Sequence, residues 1–579
     1  MTVRVTEGPP RSGPPAPPPA PSPRTPPSGR LLGVQAGQVV ATQVAIALLL
    51  AAFGNGPLVV GLAAVIAVAL TLGAWLRLRR RWLHEWVGVG LRYLSRRRGL
   101  DPAAEPADLL DLTNPGAAVV PAELAGDTAA VLSDGYGLTA VLELGDPAGL
   151  LTDAPLLLPS PASLLPVASP ETPPLRIQLL LSGAPAPSLS AGGGPPATSY
   201  RQLTDGRLLG HERAVLAVRV LRTEGWSEED LRRALSSAVR KVRRRLAPVP
   251  ARPLGERAAL GVLGEMAHHD GGHPAQESWH GLRIGGLVQT TFRLRRWPDL
   301  RTETGRRLVP RLLALPATAT TVSLSAGPWS AAGPDAVPVD LTVRLAADTP
   351  GGLSSAVQAL RRLLAAEGAL ARRMEGEQRS GLATTLPLGT IGSPAAPVQP
   401  GTVLPAAALD SLDLPLGTAG LMLGANRHGI AVITRLFRAE VTRVVLIGGV
   451  RAAQIVAMRA MALGARVVVQ TTRPRSWEPF VRGVSAPGET IAVIPPGRPI
   501  TGPPGSPLHP LLVVVDVGPV AADTQPGPGW HASLVVRDDL SHADVDAVSR
   551  ADLVILQPLR PDEATLAGVA LHSASPPSG

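Results

Sequence analysis

The chain has 579 residues, no cysteine, 55 Lys+Arg against 45 Asp+Glu, and a formal net charge of +10. That length holds two or three domains, each with its own core, and the missing thiols exclude disulfides, thiolate metal sites and cysteine nucleophiles. Lys241 is the sole lysine, so the basic excess is an arginine bias, and with aromatics at only 3% neither a stacking platform for single-stranded nucleic acid nor a carbohydrate cleft is expected.

Residues 1–30 carry eleven prolines among Ser, Gly and Arg, a composition that cannot bury a core and predicts a disordered tail. Leu31 to Phe53 and Leu58 to Leu76 then contain no charged residue. At about 1.5 Å per residue, each stretch would cross a hydrocarbon layer of about 30 Å. Gly54, Asn55, Gly56 and Pro57 separate them, which predicts a two-helix transmembrane hairpin over residues 31–76. Arg24 and Arg30 precede the first stretch, Arg77, Arg79, Arg80 and Arg81 follow the second, and the loop is uncharged. The positive-inside bias then puts both termini and the bulk of the chain in the cytoplasm, at the inner (plasma) membrane. Gly33, Gly37, Ala41 and Ala45 form a small-residue strip with Gln35, Gln38 and Thr42 beside it. Such a strip lets another backbone approach closely, either the second helix of the same hairpin or a neighbouring membrane subunit.

Residues 77–100 contain "RLRRRWLHEWVGVGLRYLSRRR", in which Trp82, Trp86, Val89 and Tyr93 share one helical face. Rings at headgroup depth and Arg77, Arg79, Arg80 and Arg81 on lipid phosphates are one reading of this amphipathic helix. The other is an aromatic face packed on the protein's own body.

Residues 101–400 are expected to form an α+β cytosolic domain. "AVLSDGYGLTAVLEL" is two apolar runs around Asp134-Gly135, a hairpin signal. "RIQLLLSG" is a further strand, bracketed by Pro, Ser and Gly stretches from Asp153 to Pro174 and from Gly183 to Ala197 that read as loops or insertions. Three strand-then-helix units follow: "ERAVLAVRVLR" with "SEEDLRRALSSAVRKVRRRL", "TTFRLRRWPDL" with "TETGRRLVPRLLAL", and "VDLTVRLAAD" with "GLSSAVQALRRLLAAEGALARR". In the last, Val339, Leu341, Val343 and Leu345 alternate with Asp340, Thr342 and Arg344, as in a strand with one buried face, which predicts a sheet with helices on one side. Arg240, Lys241, Arg243, Arg244 and Arg245 form a basic helix face, read as solvated or as a contact for an acidic partner or the inner leaflet. His269 and His273 in "MAHHDGGHPAQESWH" have the zincin spacing, but Asp270 stands where Glu is required and Gly271-Gly272 points to a loop, so no metal site is expected.

Residues 401–572 read as short apolar strands spaced by helices, a Rossmann-like α/β domain, followed by a short tail at 573–579. "VVLIGGVRAAQ" has the outline of a phosphate turn, yet neither lysine nor hydroxyl follows Gly448 and Gly449, and Gln470 stands where a dinucleotide fold has an acid. Asp516, ending "LLVVVD", resembles a Walker B aspartate without a partner loop. No nucleophile arrangement or paired-carboxylate signature stands out, so no catalytic residue and no cofactor is assigned. The alternative is a membrane-tethered nucleotide- or sugar-nucleotide-dependent enzyme built on this domain.

Taken in order, "RLLGVQAGQVVATQVAIALLLAA", "RRRWLHEWVGVGLRYLSRRR", "ERAVLAVRV", "SWHGLRIGGLVQTTFRLRRWP", "GTAGLMLGANRHGIAVITRLFRAEVTRVVLIGG" and "VVVQTTRPRSW" resemble the EccE family of actinobacterial type VII secretion systems. The likeness runs from Leu31 to about Trp477, and the Pro-rich tail and Pro/Gly insertions depart from it. The resemblance implies a non-catalytic structural subunit of an inner-membrane complex for protein export, assembled with EccB-, EccC- and EccD-like components, the EccC-like one being the ATPase, and in contact with membrane lipids. It brings no catalytic residues.

Overall fold

The computed structural model describes residues 30–573 apart from 32–33, 79–80, 152–154, 168, 170, 207, 330–335, 390–401, 485–490 and 519–528. The expected tails fall almost wholly outside the described residues, as do Gly33, Arg79 and Arg80. The chain divides into two compact units, Met1–His84 and Glu85–Gly579.

In the first unit the expected helices form, but the first is shorter than the uncharged stretch that encodes it. Arg30–Leu31 pairs with Val34–Gln35 in a two-residue antiparallel ladder, so helix α1 runs only from Ala36 to Ala52, 17 residues, and Gln35 stands in the ladder, off the helical strip. Helix α2, Pro57–Trp75, has 19 residues and starts on a proline, whose fixed φ and missing N–H suit a first turn. Among the described residues, α2 is the one helix long and apolar enough to cross a membrane by length and composition; α1 is apolar but shorter. After α2, Arg77–Leu78 pairs with Arg81–Trp82, so Trp82 lies before helix α3, Leu83–Ser95, and outside its aromatic face.

The second unit is built around two large sheets, with two-stranded ladders beside them. Among the described residues, fourteen strands make one large sheet, whose main path runs Gly99–Leu100, Ala275–Glu277, Leu282–Ile284, Leu287–Arg296, Ala336–Ala347, Ala319–Ala326, Leu175–Pro185, Leu209–Leu221, Gly137–Leu144, Asp127–Asp134, Ala118–Leu124. The Asp134-Gly135 hairpin is present, with Asp134 paired to Gly137. Helices cover both faces of this sheet, not one. Ile177, Leu179 and Leu181 share a core with Leu231, Leu235, Val239, Val242 and Leu246 of the Glu228–Leu246 helix, whereas Leu180 of the same strand packs with Val262, Leu263 and Met266 of the Glu256–Ala267 helix. The polar residues expected to face solvent, Asp340, Thr342 and Arg344, are therefore buried, and Asp340 and Arg344 find partners on the neighbouring strand and helix. Arg293 Nε donates to Asp340 Oδ1 at 2.5 Å, and Arg344 donates to Gln289 Oε1 at 2.6 Å and to the Met266 carbonyl. Burial without a carboxylate partner lowers the Arg344 pKa to about 9.

The second sheet has six strands, all parallel, in the order Ile491–Ile494, Arg466–Thr471, Leu511–Asp516, His531–Arg537, Thr442–Ile447, Leu553–Leu556. Numbered along the chain this is 3-2-4-5-1-6, whereas the dinucleotide-binding order is 3-2-1-4-5-6. The first strand is displaced from the middle to a place between the fifth and the sixth, which corrects the dinucleotide-type layout that a Rossmann-like reading implies. "GIAVITRLF" is not in this sheet either: Ala431–Thr434 pairs antiparallel with Leu421–Ala425. The Gly183 to Ala197 stretch is a loop only in its middle, about 186–194. Gly183 continues the Leu175–Pro185 strand, Ala197 opens the Pro195–Thr204 helix, and Ala186 and Tyr200 enter the core of the parallel sheet. Tyr200 is tied there by its hydroxyl, which donates to Gly420 O and accepts from Met422 N.

Candidate functional site

Of the residues assigned to membrane packing, Gln38, Ala45 and the half-buried Ala41 lie along the seam between α1 and α2. Gln38, Ala45 and Ala52 of α1 are buried at seven-residue spacing, facing Ala63, Ala67 and Ala74 of α2, the repeat of two helices in shallow-angle contact. Ala41 is half-buried beside them, and Gly37 lies in the first turn of α1. Ala45, and in part Ala41, thus face the hairpin's own second helix. Gln38 is 1% exposed, and its Nε2 donates to the carbonyl of Ala74 at 3.0 Å, one of the last-turn carbonyls that a helix leaves without an internal donor. At the edge of the seam Trp75 Nε1 donates to Thr42 Oγ1 at 3.1 Å, while Gln43 and Thr71 are exposed. The opposite surfaces carry the large side chains: Val40, Val44, Ile46 and Leu50 on α1, and Leu58, Leu62, Val65 and Val68 on α2, are all exposed.

Helix α3 does not hold its rings toward a headgroup layer. Trp86 stacks on Trp279 with centroids 6.1 Å apart, and Tyr93 meets the same ring edge-on at 5.2 Å, while Val89 is fully buried. Arg96 donates to Glu277 Oε1 at 2.5 Å and to Gly376 O at 2.9 Å. The aromatic face packs on the body of the protein, correcting the placement of Trp86 and Tyr93 at the membrane interface. Arg77 and Arg81 sit in the short ladder before the helix. The partner ring Trp279 was not identifiable in advance, because nothing local to "ESWHG" marks it as the receiver of a helix that lies far earlier in the chain.

The C-terminal ends of the parallel strands are where an open α/β sheet offers its crevice, between neighbouring strands whose connections leave in opposite directions. Here those strands are Arg466–Thr471 and Leu511–Asp516. Asp516 closes the second and is almost fully buried. Its carboxylate accepts from Thr471 Oγ1 at 2.9 Å, Trp477 Nε1 at 2.9 Å, Arg473 Nε at 3.0 Å and Arg473 Nη2 at 2.7 Å. Burial pushes the Asp516 pKa up, but Arg473, Trp477 and Thr471 together outweigh it and hold the group below the usual carboxylate range. Arg473 also reaches Asp538 Oδ2 at 2.6 Å. These donors use the lone pairs that a Walker B carboxylate would offer to a metal-bound water.

The Gly448-Gly449 turn is likewise occupied by side chains of the chain itself. Gly448 has φ +155, and a Cβ there would lie 2.5 Å from the Gln557 side chain. At Gly449 the nearest group to such a Cβ is the Asp538 carboxylate, at 3.1 Å. A phosphate at this helix start would meet that negative charge. The turn is a close-packing device between helix and sheet.

The histidines diverge. His269 Nε2 donates to Ala104 O at 2.7 Å, His273 Nδ1 pairs with Asp270 Oδ2 at 2.7 Å, and His268 ends the Glu256–Ala267 helix with φ +59. Among the described residues, no group of three or more His, Cys, Asp or Glu is placed to hold a metal ion. On the Glu228–Leu246 helix, Arg243 pairs with Asp127 and Arg245 donates to the carbonyls of Ser163 and Leu165, leaving Arg240, Lys241 and Arg244 exposed. A cavity of about 420 Å³ is lined by His211, Arg213, Glu265, Arg435, Arg438 and Trp530. Its arginines are already paired, Arg213 with Glu143 and Glu265, Arg435 with Glu212, and Arg438 with Asp552. No family model and no curated protein matches the chain.

Proposed function

We propose that this chain is a non-catalytic structural subunit of a type VII secretion inner-membrane complex, anchored by the α1–α2 hairpin and bracing the assembly through its large second unit. One observation carries the reading. The hairpin lines its seam with Gln38, Ala45, Ala52, Ala63, Ala67 and Ala74 and turns its large aliphatic side chains outward, the inverse of a helix pair built for water and the arrangement that lipid favours. Both ends of the hairpin would then lie in the cytoplasm, flanked by arginines. A body that fills its own strand-end crevice with Arg473 and its Gly-Gly turn with Gln557 supports a bracing role over nucleotide chemistry. The complex would include EccB-, EccC- and EccD-like subunits. Mild-detergent affinity purification from native membranes is expected to recover an ATPase and a multi-span membrane protein with this chain; recovery of the chain alone would overturn the proposal.

A further inference from the structure

Helix α3 is apolar on two sides, and only one of them is covered by the described residues. Its inner face, Trp86, Val89 and Tyr93, sits against Trp279 and the backbone at Gly376. On the other side Val87, Leu91 and Leu94 are 55%, 63% and 70% exposed. Their spacing of four and three residues sets them in one row along the helix. A helix with two apolar sides belongs between two apolar phases, and here the second phase is missing.

Two further features of the helix indicate what that phase is. Arg97 and Arg98, just past the helix, are exposed. Arg98 lies 5.1 Å from the ring centroid of Tyr93, on the covered face, whereas Arg92 and Arg97 make no ion pair with a carboxylate among the described residues. Cations beside an apolar row match an anionic lipid surface, with methyl groups among the acyl chains and guanidinium groups on phosphates. Second, only residues 76–82 separate α2 from α3, a tether that spans at most about 25 Å when fully extended. A helix so close in sequence to a membrane segment is held near the interface at high effective concentration.

We infer that α3 lies on the inner leaflet, with Val87, Leu91 and Leu94 buried at headgroup depth and Arg92 and Arg97 on anionic headgroups, so that it is sandwiched between lipid and the Trp279 surface. This inference rests on the reading of α1–α2 as a membrane anchor. Its consequence is mechanical: the helix that receives Trp279 would fix the large unit to the bilayer surface instead of leaving it on a free tether.

The absence of cysteine makes the test direct. Full-length protein carrying a single Leu91→Cys, Leu94→Cys, Ile66→Cys or Arg362→Cys substitution is labelled with a small fluorophore and reconstituted into vesicles containing phosphatidylglycerol. Doxyl-labelled lipids with the quencher near the headgroup or deep in the acyl chain are then compared. For labels at Leu91 and Leu94, shallow quenching is expected to exceed deep quenching by about twofold, as for an interfacial helix. The label at Ile66 is expected to show the reverse, and the one at Arg362, on the exposed side of the Pro350–Ala366 helix, to respond to neither. Deep quenching at Ile66 with none at Leu91 and Leu94 would overturn the inference while leaving the anchor intact. No quenching at Ile66 would overturn the anchor reading and this inference with it.

Discussion

Replacing Arg219 with Met is expected to destabilise the second unit by about 3–5 kcal/mol, the range for removing one partner of a buried ion pair. Arg219 and Asp134 are both nearly inaccessible, and Arg219 Nη2 donates to Asp134 Oδ1 at 2.5 Å. The guanidinium also donates to Thr139 Oγ1 at 3.1 Å and to Leu388 O at 2.9 Å, while Asp134 accepts from Asn114 Nδ2 and Tyr136 N, each at 2.8 Å. Methionine would fill much of the volume, but it would leave a buried carboxylate without its countercharge at the hairpin end of the Asp127–Asp134 strand. Urea denaturation of detergent-solubilised protein, followed through the large sheet, measures the loss; the double variant Asp134→Leu, Arg219→Met should lose less than the single one.

The same pair sets an acid limit. Burial pushes the Asp134 pKa up, but Arg219, Asn114 and the Tyr136 N–H outweigh it, so the group is held below its ordinary value. A depressed carboxylate contributes stability that is present above its unfolded value, about 4, and is lost as pH falls through the folded one. Wild-type stability should therefore fall below about pH 4, and the Arg219→Met variant should lose part of that dependence.

Gly376→Val is expected to release α3. Gly376 has φ +69, and a Cβ there would lie 2.7 Å from Val89 Cγ1 and 2.8 Å from the Trp279 ring. A β-branched residue in the left-handed region costs about 1–2 kcal/mol, and overpacking the contact adds about 1–3 kcal/mol. The N–H of Gly376 donates to Trp279 O at 2.8 Å, and its carbonyl accepts from Arg96, so a shift of this backbone loosens both sides of the contact. Hydrogen exchange should quicken over residues 83–95 and stay unchanged in the strands Thr442–Ile447 and Leu511–Asp516. Unchanged protection of α3 would show that Gly376 does not set its seat.

Where the sequence was legible, one local pattern decided the outcome. Asp134-Gly135 between apolar runs has few alternatives to a hairpin, and runs such as "LLVVVD" are too short and too β-branched for anything but buried strands. Capping was equally local: Ser227 accepts from the N–H of Asp230, and the Asp230 carboxylate accepts from the N–H of Ser227. What stayed hidden depended on partners distant in sequence. Asp340 and Arg344 read as solvent-facing because Arg293 and Gln289, on the neighbouring strand, cannot be assigned to them without the register. Periodicity placed Trp86 and Tyr93 on one face of α3 and left open what covers it. For the candidate nucleotide turn, the absent lysine was visible in the chain. Arg473 filling the crevice was not, because it joins Asp516 from the end of a different strand.

In the proposed anchoring, α1 and α2 cross the bilayer as a pair, with the large unit on its inner side. In intact cells, a membrane-impermeant maleimide should label an Asn55→Cys variant, at the exposed turn between the helices. An Arg550→Cys variant, exposed in the C-terminal half, should be labelled only after the membrane is permeabilised. Labelling of Arg550→Cys in intact cells, or recovery of the protein in the soluble fraction without detergent, would contradict the account.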